Sequence, residues 1–138
     1  MSAAIDEVRA LHRFFEDWFH ARLSPTDADF ARLPASLAPD FVLVPPSGTP
    51  IDHAALLTSL RSAHGSRAGD EAFRIWIESP ATRPLAADLT LVTYEEWQET
   101  RDGRGGRLSS ALLRTSNDAP GGFLWEHVHE TWLPGSSA

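Results

Sequence analysis

No cysteine occurs among the 138 residues, which removes disulfides, thiolate nucleophiles, iron–sulfur clusters and thiolate zinc sites in one step. Lysine is absent too, since all twelve basic residues are arginine. Schiff-base chemistry on lysine and a phosphate-loop lysine are thereby excluded. The sequence holds no run of about 18 apolar residues and no N-terminal stretch with the charge and apolar pattern of a signal peptide, so the expected location is the cytoplasm. Positive charge is scarce: twelve arginines stand against nineteen acidic residues, a net charge of −7. That balance argues against nucleic acid or an anionic membrane as partner, because both need a basic face. What remains fits one domain with a core of its own.

The front part reads as helix. From Ala3 to Leu23, the residues Ile5, Val8, Leu11, Phe15, Trp18 and Phe19 recur at three- and four-residue steps with charge between them, which predicts an amphipathic helix ended by Ser24-Pro25. Thr26 followed by Asp29 predicts a capped short helix that Pro34 stops. Phe41 to Val44 reads as a buried strand leaving through Pro45-Pro46-Ser47-Gly48. Asp52 then caps a third helix with Leu56, Leu57 and Leu60 inside, and Gly65 stands where a left-handed residue would end it.

The back part reads as strand. Phe73 to Glu78 alternates, then Pro80 and Pro84 bracket an expected loop. Asp88 to Arg101 and Arg107 to Ser116 flank a glycine-rich connection of about five residues, and Phe123 to Leu133 follows the reversal at residues 117–122. Strands this long must twist and curl, and a curled sheet has a hollow side. Neither face of these strands is plainly polar, so helices are expected on one face and a second copy of the chain on the other, giving a homodimer through the sheet. Residues 134–138 read as a disordered tail.

The order helix, short helix, strand, helix and four curled antiparallel strands resembles the nuclear transport factor 2-like superfamily, in its SnoaL-like branch. Leu37-Ala38-Pro39-Asp40-Phe41-Val42 before a Pro/Gly turn, and Trp125-Glu126-His127-Val128-His129-Glu130-Thr131, carry the likeness. It implies a single SnoaL-like domain over residues 1–133. It also implies an α+β, cone-shaped fold, with N-terminal helices packed on a strongly curved antiparallel or mixed sheet around a cavity. Ketosteroid isomerases of that superfamily place an aspartate base immediately before Pro-x-Gly, where this chain has Pro45. A proline is no base, so that reaction is not supported.

Candidate site residues follow from strand parity and side-chain chemistry. His127 and His129 are two apart on one strand, so both side chains are expected on the same face as Trp125 and Thr131. They are read either as acid–base or orienting groups in the cavity, or as a packed, hydrogen-bonded pair. A metal site would need a third ligand, and no metal or cofactor is expected. Tyr94, the one tyrosine, could donate to a ligand or simply pack. Among Glu95, Glu96 and Glu99 the expectation is exposure, though one in the pocket would have a raised pKa. Arg114 would hold a carboxylate if it points inward and would pair with a glutamate of the next strand if it does not. Trp18 is core, or lines the cavity mouth. Catalytic candidates are therefore His129, His127 and Tyr94, and ligand-binding candidates are Trp18, Tyr94, Arg114, Trp125, His127 and His129.

Two function classes stay open. One is a pocket protein for a small apolar or aromatic molecule, with cofactor-free isomerase, dehydratase or cyclase chemistry within its reach. The other is a non-catalytic dimeric association module with a vestigial cavity, a role the resemblance also permits.

Overall fold

The computed structural model describes residues 2–137. Helix α1 covers Ala3–Phe19, opened by the Ser2 hydroxyl, which accepts from the Ile5 amide. It stops four residues before the expected Leu23. Its last carbonyls are taken by a distant loop: the Gly65 amide donates to Trp18 O at 3.0 Å and the Arg67 amide to Phe19 O at 2.9 Å. The chain then reverses through Ala21, whose φ is +60°. Helix α2 is one turn, Asp27–Phe30, capped by Thr26 as expected. Pro34 does not stop it but begins a 3-10 turn over Pro34–Ser36. Helix α3 spans His53–Ser62 with the Asp52 carboxylate on the Ala55 amide, and Gly65 is left-handed at φ +71°.

Six strands form one sheet: β1 Leu37–Val44, β2 Ile51–Asp52, β3 Arg74–Ala86, β4 Leu89–Thr100, β5 Gly103–Thr115 and β6 Phe123–Trp132. Their order is β2-β1-β6-β5-β4-β3. Only β1 against β6 is parallel, so the sheet is mixed.

Strand β3 runs on through the segment expected to be a loop, with register shifts after Glu78 and after Pro84. It survives Pro80 and Pro84 because it is the edge strand, where a missing N–H costs no partner. Strand β5 likewise starts inside the expected glycine loop, so the β4–β5 turn is only Arg101-Asp102. One glycine there serves close packing instead of the turn: a Cβ on Gly106 would lie 2.8 Å from both Trp97 and Leu133. Residues 134–137, expected to be loose, fold back on β5, where the Ser136 hydroxyl accepts from the Gly106 amide at 2.9 Å. Ala138 lies outside the described residues.

The core lies between α1 and the concave face. Val8, Leu11, Phe14 and Trp18 pack against Ile77, Val92, Tyr94, Ala111, Leu113, Trp125 and Val128, and Leu56, Leu57 and Leu60 of α3 close one side. Trp18 is 1 % exposed, and its indole donates to Leu60 O at 2.7 Å.

A buried polar joint ties α1 to Arg32 and β6. Glu7 of α1 accepts from Arg32 at 2.6 Å and from the Trp125 indole at 3.0 Å, and Arg32 also reaches Ser36. Gly121 lies so near that a Cβ there would sit 1.8 Å from a Glu7 oxygen. Asp70 accepts the Arg101 amide at 3.1 Å and the Ala72 amide at 3.0 Å. Those amides, Arg101 first, hold its carboxyl below the usual carboxylate range. No described helix is long and apolar enough to cross a membrane.

Candidate functional site

A cavity of about 190 Å³ opens between α1, α3 and the concave face. Its walls are apolar: Leu11, Phe15 and Phe19 come from α1, Leu56 and Leu60 from α3, and Phe41 and Leu43 from β1. Its floor is different. Tyr94, Glu96 and Gln98 of β4, Arg107 of β5, Glu130 of β6 and His12 of α1 all line it.

Strand pairing explains why these floor groups meet. Tyr94 lies opposite Ser109, which lies opposite Glu130; Glu96 lies opposite Arg107. Even-numbered residues of β4 therefore face the helices, and they bring two polar residues to a surface that begins with buried Val92. His12 reaches them from the apolar stripe of α1. Its ring is 5.5 Å from the rings of both Phe15 and Tyr94.

His12 Nδ1 is 2.7 Å from Val8 O. A carbonyl only accepts, so Nδ1 carries the hydrogen. Nε2 then faces Glu96 Oε1 at 3.0 Å. Burial works to lower the His12 pKa, but the charge and hydrogen bond of Glu96, with Val8 O and Glu130 adding to them, raise it on balance. Burial works to raise that of Glu96, and the His12 imidazolium, with Arg107 and the Gln98 amide, outweighs burial and holds it at about 2. The two directions agree: each group favours the charged form of the other. A pocket glutamate was expected to have a raised pKa, and for Glu96 the opposite holds because its partner is a cation.

Glu130 is the carboxyl that is pushed up, first by burial and then by the negative charge of Glu96, although Arg107 opposes the shift from 3.1 Å. The Tyr94 phenol is raised well above its ordinary value, chiefly by burial and then by Glu96 and Glu130, so it stays a neutral donor beside the Ser109 hydroxyl. Ser109 in turn donates to Glu130 at 3.5 Å. The floor thus offers a histidine–carboxylate pair, a phenol donor and a second carboxyl whose pKa lies above its ordinary value. No group of ligands fit to hold a metal ion is present among the described residues.

Of the residues expected here, Tyr94 and Trp125 line the cavity. Trp18 is sealed in the core. Arg114 faces the other side, paired with Asp88 at 2.9 Å and Glu126 at 3.4 Å.

His127 and His129 are also placed on the far face, and the cause is local. Leu113 pairs with Trp125 but Leu112 pairs with His127, which leaves Glu126 as an extra residue in β6. This bulge reverses parity. Trp125, Val128 and Glu130 line the cavity, while His127 lies half-buried and His129 exposed, their rings 6.4 Å apart. The structure therefore takes Trp125 away from the two histidines and puts Glu130 in their place. His12, Arg107 and Glu130 are not among the candidates that the sequence offers, and Glu96, for which exposure was the first expectation, is buried at the cavity. The one signal for His12 is its position in the apolar stripe Val8, Leu11, Phe15.

A family model described as sucrose-6-phosphate phosphohydrolase C-terminal matches residues 4–134. The chain belongs to that family. Sucrose-phosphatase 1 of Nicotiana tabacum is 31 % identical over 133 residues, covering 96 % of this chain and 31 % of that protein. A probable sucrose-phosphatase 2 of Arabidopsis thaliana is 32 % identical over 130 residues, covering 91 % and 29 %. The chain thus spans about a third of the curated relatives it matches. Among solved structures, a nuclear transport factor 2-like protein of unknown function from Pseudomonas aeruginosa superposes with a TM-score of 0.83 at 29 % identity, covering 96 % of this chain and 99 % of that one. A CamKII hub homology domain from Chlamydomonas reinhardtii gives 0.68 at 13 % identity, covering 96 % and 99 %, a likeness of fold alone. This member of the sucrose-6-phosphate phosphohydrolase C-terminal family therefore has the expected α+β nuclear transport factor 2-like fold.

Proposed function

We propose that the domain binds a small molecule in the cavity between α1, α3 and the concave sheet, apolar walls holding the body and the floor orienting a polar group. One observation carries this reading: four ionisable side chains, His12, Glu96, Arg107 and Glu130, converge on one apolar hollow. Burying charge is costly, and a core needing only stability would be filled with hydrocarbon. Perturbed titratable groups in a cleft favour a site. At about 190 Å³ the hollow is smaller than common ligand pockets of roughly 300 to 1,000 Å³, which favours a ligand of one-ring size.

Chemistry of the SnoaL-like kind, cofactor-free proton transfer on such a molecule, is within reach of this floor. Glu130 is the group best suited to exchange a proton, with Tyr94 donating to a developing oxyanion and the His12–Glu96 pair fixing the local field. The sugar-phosphate hydrolysis named for the curated relatives is a property of proteins about three times as long. Here it would require this domain to work beside other machinery.

The test is a small-fragment screen followed by thermal shift and by NMR. Fragments should stabilise the wild type and shift the His12 and Tyr94 resonances. Val128→Trp, which fills the hollow, should abolish binding, and His129→Ala should leave it unchanged. Fragments that bind Val128→Trp as well as the wild type would defeat the reading.

We also propose a homodimer through the outer sheet face. That face runs Leu91, Leu112, His127 and Val42 in one row and Glu95, Leu108 and Thr131 in another. Leu108 is 45 % exposed, and a mixed apolar face of this kind fits a second copy better than bulk water.

A further inference from the structure

The four side chains His12, Glu96, Arg107 and Glu130 on the cavity floor are matched among themselves. His12 Nε2 and Glu96 Oε1 stand 3.0 Å apart, and Arg107 Nη1 donates to Glu130 Oε1 at 3.1 Å. The second oxygen of each carboxylate is engaged as well: Gln98 donates to Glu96 Oε2 at 2.8 Å and the Ser109 hydroxyl to Glu130 Oε2 at 3.5 Å. A proton placed on either side of the His12–Glu96 contact leaves that pair neutral as a whole. Arg107 and Glu130 add one charge of each sign. Behind the wall, Glu7 on the Trp125 indole has a partner of its own in Arg32 at 2.6 Å.

This balance acts on whatever enters. The walls are aliphatic and aromatic, so an ion brought in from water loses hydration there. An anion finds Arg107 already held by Glu130. A cation finds the two carboxylates already held by Arg107 and His12. Either one adds an unmatched charge to the hollow, and a buried charge without a partner is costly. A neutral polar group meets no such penalty. It can accept from the Tyr94 hydroxyl or a spare N–H of Arg107, and it can donate to a remaining lone pair of Glu96 or Glu130.

On the reading of this cavity as a small-molecule site, we propose that it selects an uncharged ligand, a one-ring molecule bearing a neutral hydrogen-bonding group such as a hydroxyl, and discriminates against carboxylates and ammonium ions. Glu130 then has a role apart from proton exchange. By cancelling Arg107 it sets the charge of the molecule the cavity accepts, which makes it a specificity-determining residue.

Benzyl alcohol, benzoate and benzylammonium share one ring and one substituent carbon and differ in charge. Titrated into the full chain near neutral pH, they are compared through the His12 and Tyr94 NMR resonances, so that only binding in the cavity counts. Benzyl alcohol should bind the wild type at least about tenfold more tightly than either ion. Glu130→Gln keeps the side-chain shape and leaves Arg107 unmatched, so benzoate should gain at least about tenfold relative to benzyl alcohol. Arg107→Gln leaves Glu130 unmatched, and benzylammonium should gain in the same way. A melting curve shows whether each variant folds, and the wild-type comparison decides by itself if neither does. A wild type that binds either ion as tightly as benzyl alcohol overturns the selection by charge and leaves the cavity reading standing. A folded variant whose order of preference stays that of the wild type does the same. Binding of none of the three probes overturns the cavity reading, and the selection with it.

Discussion

Replacing Glu96 by glutamine tests the ion pair at the centre of the floor. In the folded protein the Glu96 carboxyl is held at about 2 against an ordinary 4.5. At about 1.4 kcal/mol per pH unit, that depression corresponds to about 3 kcal/mol. The sign follows from its direction. A lowered pKa gives stability that is present above 4.5 and is lost as pH falls from 4.5 toward 2. His12, raised above 6.5 by the same contact, gives stability that is present below 6.5 and is lost as pH climbs through its folded pKa. One interaction is read from two sides, so the two amounts do not add. Glu130, raised above 4.5, slopes against Glu96 on the acid side, and Glu130→Gln should steepen that limb.

Urea unfolding of the wild type from pH 2 to 9 should therefore give a stability maximum between about 4.5 and a pH above 6.5. In Glu96→Gln the acid limb should flatten, with a loss of about 3 kcal/mol near neutrality, the low end for breaking a buried pair. The His12 ring followed by NMR should titrate above 6.5 in the wild type and at lower pH in the variant, where only Val8 O and Glu130 still oppose burial. Parallel acid limbs, or a His12 titration that the substitution does not move, would refute the reasoning.

Gly121→Ala should cost at least about 2 kcal/mol in urea unfolding, because its Cβ would fall 1.8 Å from the Glu7 oxygen that holds Arg32, and such a clash breaks a buried charge network. Light scattering at micromolar concentration should report about twice 15.2 kDa, and Leu108→Arg should return the value to one chain. A monomeric wild type would remove the dimer from the account.

How much of this was legible in the chain depends on regularity. The stripe on α1, the caps at Thr26 and Asp52, and the parity of β4 obey local periods, and each is found where the pattern puts it. Strand β6 departs from its period at Glu126, and nothing in Trp125-Glu126-His127 marks the bulge. One inserted residue was enough to exchange the two histidines for Val128 and Glu130 at the cavity. Pro80 and Pro84 read as a break until the sheet order shows β3 at the edge, a fact of topology that no local window contains. The glycines of 103–106 read as a turn, whereas Gly106 answers to Trp97 and Leu133, which are close to it only in the folded sheet. His12 was hidden differently: one polar residue in an apolar stripe gains meaning only when Glu96 arrives from 84 positions away.

The central claim is that the hollow above His12, Glu96 and Glu130 is an occupied site. Crystals soaked with a set of one-ring fragments test it most directly. The account predicts fragment density between Phe15, Tyr94 and Trp125, with a polar group on Tyr94 or Glu130. A hollow that stays empty of every fragment, with binding confined to the outer sheet face, would contradict it.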